Sequence, residues 1–317
     1  MTLSDLHQML CESHGHLINQ NNQYATKQLA DKPPQITKGV CYEYRAAEIA
    51  HPCDFLVAYD TSDSSIRSLE KLFYSSDNAN SNRITDFLKK LKVAQPLNAV
   101  QLLWLSFDWS RNHYPEIPTF YVSTQHYSYV YGEKLDKAIE HTFLSLAPDY
   151  LETAKEITTN LSFGKLNHIG FTYARDALKA KFTITLAADE VIPLLEGINW
   201  QGDYAQLHSA LELAKQLTDT IQISLSFDKV LSKKVELELP WVRNQSENYV
   251  NEAFIEKVIK TCHGEQNYKR LIELVDWLEN NPNDKAFYTK FSIFEDKTIN
   301  LKSYLHSSPA PKRRFLG

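Results

Sequence analysis

The chain has 317 residues, of which 43% are hydrophobic and 23% are charged, and its formal net charge is -5. This size and hydrophobic content support one large or two ordinary globular domains, and the balance of charge lacks the basic surface of a nucleic-acid-binding protein. No apolar run is long enough to span a membrane, and the polar start of the chain, MTLSDLHQMLCESHGH, lacks the apolar segment of a signal peptide.

The first 38 residues are predicted to form an N-terminal helix and a linker. Its His7, Cys11, His14 and His16 are residue types that ligate metals, but no second cluster completes a site, so the sequence favours a polar surface helix. The four cysteines of the chain are scattered and form no CxxC pair, which indicates reduced thiols. We therefore expect a cytoplasmic protein without a metal centre.

Five pairs of strand-like segments follow, and apolar and polar residues alternate along them. Such alternation predicts strands with one apolar and one polar face, and a short polar connection within a pair predicts a β-hairpin. The pairs are residues 39–46 with 53–60, residues 100–110 with 119–130, and the two halves of residues 166–186, 221–239 and 287–305. In the fourth pair, for example, Ile223 and Leu225 share one face while Ser224 and Ser226 share the other.

Between the pairs the apolar spacing changes toward the 3.6-residue period of helices. The predicted helical segments are residues 64–76, 84–93, 134–157, 189–198, 204–217, 251–262 and 267–279. Pro148 should break the third of them. The hairpins recur roughly every 55–65 residues, which indicates an internal structural repeat.

The order of elements predicts an α+β fold of five αββα repeats spanning residues 39–308, followed by a flexible basic tail at residues 309–317. Consecutive hairpins favour antiparallel pairing, and helices between them cover one side of the sheet. Ten such strands can close into a barrel with helices outside and polar faces lining a lumen. The alternative is an open antiparallel sheet with helices on one face.

The arrangement resembles the ABBA prenyltransferases, a family that includes the cyanobactin peptide prenyltransferases of RiPP biosynthesis. At the residue level, Lys302-x-Tyr304 is similar to the Lys-x-Tyr strand pattern of that family. Lys179-x-Lys181-x-Thr183 resembles its basic strand patterns, although Thr183 stands where tyrosine is more usual. The tripeptide Ile169-Gly170-Phe171 is similar to some peptide prenyltransferases.

The resemblance implies transfer of an isoprenyl group from an allylic diphosphate to a small aromatic or peptide acceptor. Cationic strand residues would hold the diphosphate, aromatic faces would shield the allyl cation, and a carboxylate would take the acceptor's proton. The candidates for the diphosphate are Arg45, Lys181, Lys234, Lys290 and Lys302; for the shield, Tyr44, Trp104, Tyr121 and Tyr304; and for catalysis, Glu43, Glu236 and Glu238. No organic cofactor is expected, and Mg²⁺ could accompany the diphosphate.

A simpler interpretation of the same residues is open. Lysines on polar strand faces are commonly solvated or paired with carboxylates across the sheet, as Glu236 and Glu238 would allow. The chain has no GxSxG, HExxH, Walker or GxGxxG motif and no DDxxD. A non-catalytic barrel that binds a ligand or a peptide is therefore the alternative function.

Overall fold

The computed structural model describes residues 38–45, 54–74, 78–93, 100–108, 117–124, 133–161, 164–173, 178–216, 218–241, 285–293 and 299–307. These residues form ten strands and, between them, three pairs of α-helices. The predicted α+β class is confirmed. The predicted helices at residues 251–262 and 267–279, the N-terminal segment and the basic tail lie outside the described residues, so the proposed domain boundaries stay predictions.

The ten strands correspond to the five predicted hairpins. They are β1 (Gly39–Arg45), β2 (Asp54–Asp60), β3 (Val100–Phe107), β4 (Thr119–Thr124), β5 (Lys165–Thr172), β6 (Lys179–Ala187), β7 (Thr220–Phe227), β8 (Leu231–Trp241), β9 (Lys285–Ile293) and β10 (Ile299–Ser307). The two members of each predicted pair are hydrogen-bonded neighbours, and every pairing is antiparallel.

The sheet closes on itself. Each strand pairs with its neighbours in the chain, and β1 also pairs with β10, with Glu43 opposite Tyr304 and Val40 opposite Ser307. Of the two arrangements that the sequence left open, the pairing of β1 with β10 gives the closed barrel. Closure leaves the sheet without free edges and separates an inner face from an outer one.

The helices lie in pairs between the hairpins. They are α1 (Asp63–Tyr74), α2 (Ala79–Leu91), α3 (Glu133–Leu146), α4 (Leu151–Thr159), α5 (Val191–Gly197) and α6 (Tyr204–Lys215). Pro148 begins a short 3-10 helix that separates α3 from α4, which confirms the predicted break. Among the described helices, none is long and apolar enough to cross a membrane.

The hydrophobic core lies between the outer face of the sheet and these helices. Alternate strand residues such as Leu103, Leu105 and Ile223 are fully buried in the same cluster as the apolar stripes of the helices. Phe143 of α3 shows the packing, since its ring contacts Phe171, Phe182 and Phe227 with centroids 5.2, 5.8 and 5.9 Å away. With the apolar face outside, the polar face must turn inward.

Candidate functional site

An ion-pair cluster on the inner face of the sheet centres on Glu236. Its carboxylate is 2.5 Å from Lys234 Nζ, 2.8 Å from Lys181 Nζ and 3.7 Å from Lys290 Nζ, and it accepts a hydrogen bond of 3.1 Å from Ser292 Oγ. Lys181 lies on β6 and Glu236 on β8, so their side chains meet across β7. Because the apolar face of the sheet packs against the helices, this polar face, on which Glu236 is only 3% exposed, lies in the lumen.

Lys290 and Lys302 extend the cluster toward the place where β10 pairs with β1 and closes the sheet, which we call the seam. Lys290 Nζ lies 3.1 Å from Glu238 and 5.0 Å from the centre of the Tyr304 ring. Lys302 Nζ lies 2.5 Å from Glu43 Oε1, and the Tyr304 hydroxyl donates to Glu43 Oε2 at 2.6 Å. The predicted lysines, glutamates and Tyr304 are therefore brought together.

Burial and mutual charge set the protonation of the cluster. Burial alone would neutralise Glu236, but Lys181, Lys290 and Lys234 hold its pKa well below the usual range. Burial also opposes the charge of Lys290, yet Glu238 and Glu236 raise its pKa above the ordinary value. Burial lowers the pKa of Lys234 to about 8 although Glu236 is in contact. Because so acidic a carboxylate is a weak proton acceptor, Glu236 is better suited to act as a counterion than as a base.

Two aromatic rings stand on the opposite wall. Trp104 and Tyr121 are directly paired between β3 and β4, and both alternate with buried outer residues such as Leu103 and Leu105. Tyr121 lies flat against Gly170 of β5, where an added Cβ would come within 2.5 Å of the ring. Burial raises the pKa of the Tyr121 phenol, and the charge of Lys290 also acts on it, so the aromatic wall and the lysines share one interior.

Polar residues form a row across six neighbouring strands of the inner face, at the level of Glu236. Consecutive register partners are Ser123, His168, Thr183, Ser224, Glu236 and Ser292, on β4 through β9. Ser123 Oγ and His168 Nδ1 are 2.6 Å apart, and the Thr183 and Ser224 hydroxyls are 3.2 Å apart. Sequence reasoning did not single out His168, although its place beside the outward Ile169 marks it as an inward residue.

The lumen is accessible to solvent at the described residues. The side chains of Lys181, Lys302 and Lys234 are 19%, 23% and 27% exposed although they lie on the inner face, whereas Glu236 is only 3% exposed. A small polar ligand can therefore reach the ammonium groups before it reaches the central carboxylate.

Some predicted residues are not described in full. The backbone of Tyr44 and Arg45 is part of β1, but their side chains are not described. The candidate metal ligands of the N-terminal segment lie wholly outside the described residues: His7, Cys11, His14 and His16. Within the described ranges, no three His, Cys, Asp or Glu side chains converge as a metal-binding group. The individual roles assigned to the site residues stay predictions.

Comparison with known proteins agrees with the closed sheet. No protein-family model matches the chain, and no curated protein sequence matches it. Among solved structures, AnaPT from Neosartorya fischeri is similar over 99% of this chain and 94% of its own, with a TM-score of 0.56 and 13% sequence identity. At that identity the likeness concerns the fold. The chain therefore has the fold of AnaPT, an ABBA prenyltransferase.

Proposed function

We propose that the protein is a prenyltransferase that moves an isoprenyl group from an allylic diphosphate to an aromatic or peptide acceptor. The observation that carries the proposal is the convergence of Lys181, Lys234, Lys290 and Lys302 on a solvent-accessible inner face, opposite Trp104 and Tyr121. Convergent ammonium groups stabilise the charge of a diphosphate, and aromatic faces stabilise a carbocation.

In the proposed reaction the bond between the allylic carbon and the diphosphate oxygen breaks, and the electron pair leaves with the diphosphate. The lysines stabilise this leaving group, which lowers the barrier to ionisation. The allyl cation then forms a bond to a nucleophilic atom of the acceptor. Tyr304 lies against Lys290, and Tyr121 on the opposite wall is within electrostatic reach of Lys290, so both rings are suited to keep water from the cation.

The acceptor must lose a proton when the new bond forms. Glu43 and Glu238 are the two carboxylates proposed to receive it, because Glu236 is held too acidic by three lysines. Glu43 also contacts the Tyr304 hydroxyl, which would place the proton acceptor beside the cation shield.

The first test measures transfer directly. Protein incubated with dimethylallyl or geranyl diphosphate and a panel of aromatic amino acids and peptides should yield products heavier by one isoprenyl unit, as seen by mass spectrometry. Parallel reactions with Mg²⁺ and with a chelator show whether the ion is needed. Absence of any product, together with absence of diphosphate binding by calorimetry, would refute the proposal.

The second test asks whether the lysine cluster contributes to transfer. Lys290→Met removes the deepest ammonium group of the cluster, and we expect the rate of transfer to fall by about a hundredfold, the scale of losing one preorganised donor. Lys155→Met is the matched control, since Lys155 pairs with Glu140 at 3.3 Å outside the barrel. Equal rates in the two variants would contradict a role for Lys290.

A non-catalytic binding barrel is the second candidate function. It is favoured because, among the described residues, each of the four lysines already lies within 3.1 Å of a carboxylate oxygen. A lumen whose lysine charges are already balanced by carboxylates can hold a polar ligand without promoting the departure of a diphosphate. Tight binding of a diphosphate without turnover, for every acceptor tested, would support this function over transfer.

A further inference from the structure

Glu236 occupies the position that an anionic ligand would take. Its oxygens lie within 2.5 to 3.7 Å of three ammonium groups, and a serine hydroxyl donates to it at 3.1 Å. Three cations and one hydroxyl donor around a buried carboxylate make up the kind of environment that binds a phosphate oxygen. The protein therefore already holds an anion at the centre of its lysine cluster.

The Glu236 carboxylate offsets the mutual repulsion of the lysines. Three ammonium groups that converge in a partly buried space repel one another, and a carboxylate among them offsets that repulsion. Lys181 and Lys234 each form an ion pair with Glu236, and Lys290 contacts both Glu236 and Glu238. Glu236 thus keeps the cluster assembled when no ligand is present.

The same contact opposes an incoming anion. A phosphate group that approaches these lysines must draw them away from Glu236, or else leave two anionic groups side by side with few compensating charges. Because like charges placed together in a partly buried site repel each other, the affinity for an anion falls below what the number of lysines alone would give.

We propose that Glu236 is a positioning residue that acts as a built-in competitor, and that an anionic ligand enters the lumen by displacing Glu236 from Lys181, Lys234 and Lys290. The anion is taken to be the diphosphate of the proposed donor, and to that extent the proposal rests on the proposed function. It adds that the glutamate, and not only the lysines, determines how tightly diphosphate is held and how readily it leaves after transfer.

The test compares the affinity of inorganic pyrophosphate for the full-length protein and for its Glu236→Gln variant by isothermal titration calorimetry. Glutamine keeps the shape of the side chain and a carbonyl that accepts from Ser292, but it removes the competing charge. We expect the dissociation constant to fall by about tenfold or more, the scale of one like-charge contact removed from a partly buried site. The matched control is Glu140→Gln, which removes a carboxylate from an ion pair on the outer helices and should leave the affinity unchanged.

A second variant protects the test if Glu236→Gln does not fold, as judged by its circular dichroism and melting curve. Glu238→Gln removes a carboxylate that contacts Lys290 alone among the described lysines, so we expect a smaller gain in affinity of the same sign. An unchanged or weaker affinity for pyrophosphate in the folded variants would overturn the proposal that Glu236 competes with the anion.

Binding and turnover separate the two proposals. A gain in pyrophosphate affinity without isoprenyl transfer to any acceptor would support the role of Glu236 and favour the non-catalytic binding function over transfer. Isoprenyl transfer by the wild type without a gain of pyrophosphate affinity in the variants would support the prenyltransferase function and overturn the role of Glu236.

Discussion

Gly170 is the residue that lets an aromatic ring lie against the inner wall of the barrel. A Cβ at this position would lie 2.5 and 2.7 Å from two ring carbons of Tyr121, closer than atoms in contact can approach. We therefore expect Gly170→Ala to displace the Tyr121 ring and to lower the free energy of unfolding by about 1–3 kcal/mol, as overpacking does. Chemical denaturation measures the change.

The control for this substitution is Gly197→Ala. A Cβ at Gly197 would come no closer than 3.1 Å, and the atom it meets is the side-chain oxygen of Asn160, which can move. Gly197 also ends helix α5, where alanine does not oppose helix formation. If both variants unfolded at the same denaturant concentration, Gly170 would not be the close contact described here.

Asp60, the last residue of β2, provides a test of pH dependence. Burial would raise its pKa, but hydrogen bonds from Ser62, Ser65 and Lys38 lower the pKa to about 2. The folded pKa is lower than the unfolded value of about 3.9, so the stabilisation is present above pH 4 and is lost as the pH falls toward 2. Asp60→Asn should therefore lower the melting temperature at neutral pH, and the difference from the wild type should shrink in acid.

Asp63→Asn is the control for Asp60→Asn. Asp63 lies three residues further along the chain, in the first turn of α1, but its side chain is 75% exposed and its contact with Arg67 is 3.7 Å long. An exposed ion pair of this kind contributes little to stability. A pH-dependent difference as large as that of Asp60→Asn would show that the effect is not specific to the hydrogen-bonded carboxylate.

At the scale of elements, helix α3 is fixed to the barrel through Phe143. Its ring contacts three phenylalanines on β5, β6 and β7, and its side chain is fully buried. Phe143→Ala would leave a cavity shared by a helix and three strands, so we expect a loss of about 3–5 kcal/mol in the free energy of unfolding. The neighbouring Leu144, which is 53% exposed, provides Leu144→Ala as the control, with a change within about 0.5 kcal/mol.

The elements could be predicted from the sequence because each carries its own local signal. Period-two alternation locates β7 and β8, and the 3.6-residue spacing of Ile66, Leu69 and Phe73 locates α1. The ends of strands are less predictable, because they depend on pairing: β3 ends at Phe107 and Asp108 already lies outside it, although the predicted strand continues to residue 110.

The site was only partly predictable because it depends on the whole molecule. Alternation alone places Lys181, Lys290 and Glu236 on inward faces, but it does not say which of them meet. Contact between Lys181 on β6 and Glu236 on β8 depends on how both strands pair with β7, for which no single strand carries a signal. Glu236 could therefore be predicted as a candidate base from its strand, while its role as a counterion to three lysines emerged only from the closed sheet.

A charged contact spans the seam between β1 and β10. Glu43 on β1 is buried, with a side chain 6% exposed, and Lys302 and Tyr304 on β10 contact its two carboxylate oxygens. Removing the ammonium group leaves a buried carboxylate with less compensation, which costs up to about 3 kcal/mol. Lys302→Met should therefore weaken the seam more than the remaining strand pairs.

Hydrogen–deuterium exchange measures this effect strand by strand. In Lys302→Met we expect faster exchange for the amides of β1 and β10, with little change in β5 and β6 on the far side of the ring. Adding Glu43→Gln removes the uncompensated charge and should restore part of the protection, since the glutamine keeps an oxygen that accepts from Tyr304. Faster exchange spread evenly over all ten strands would mean that Lys302 supports the fold in general and has no special role in closing the barrel.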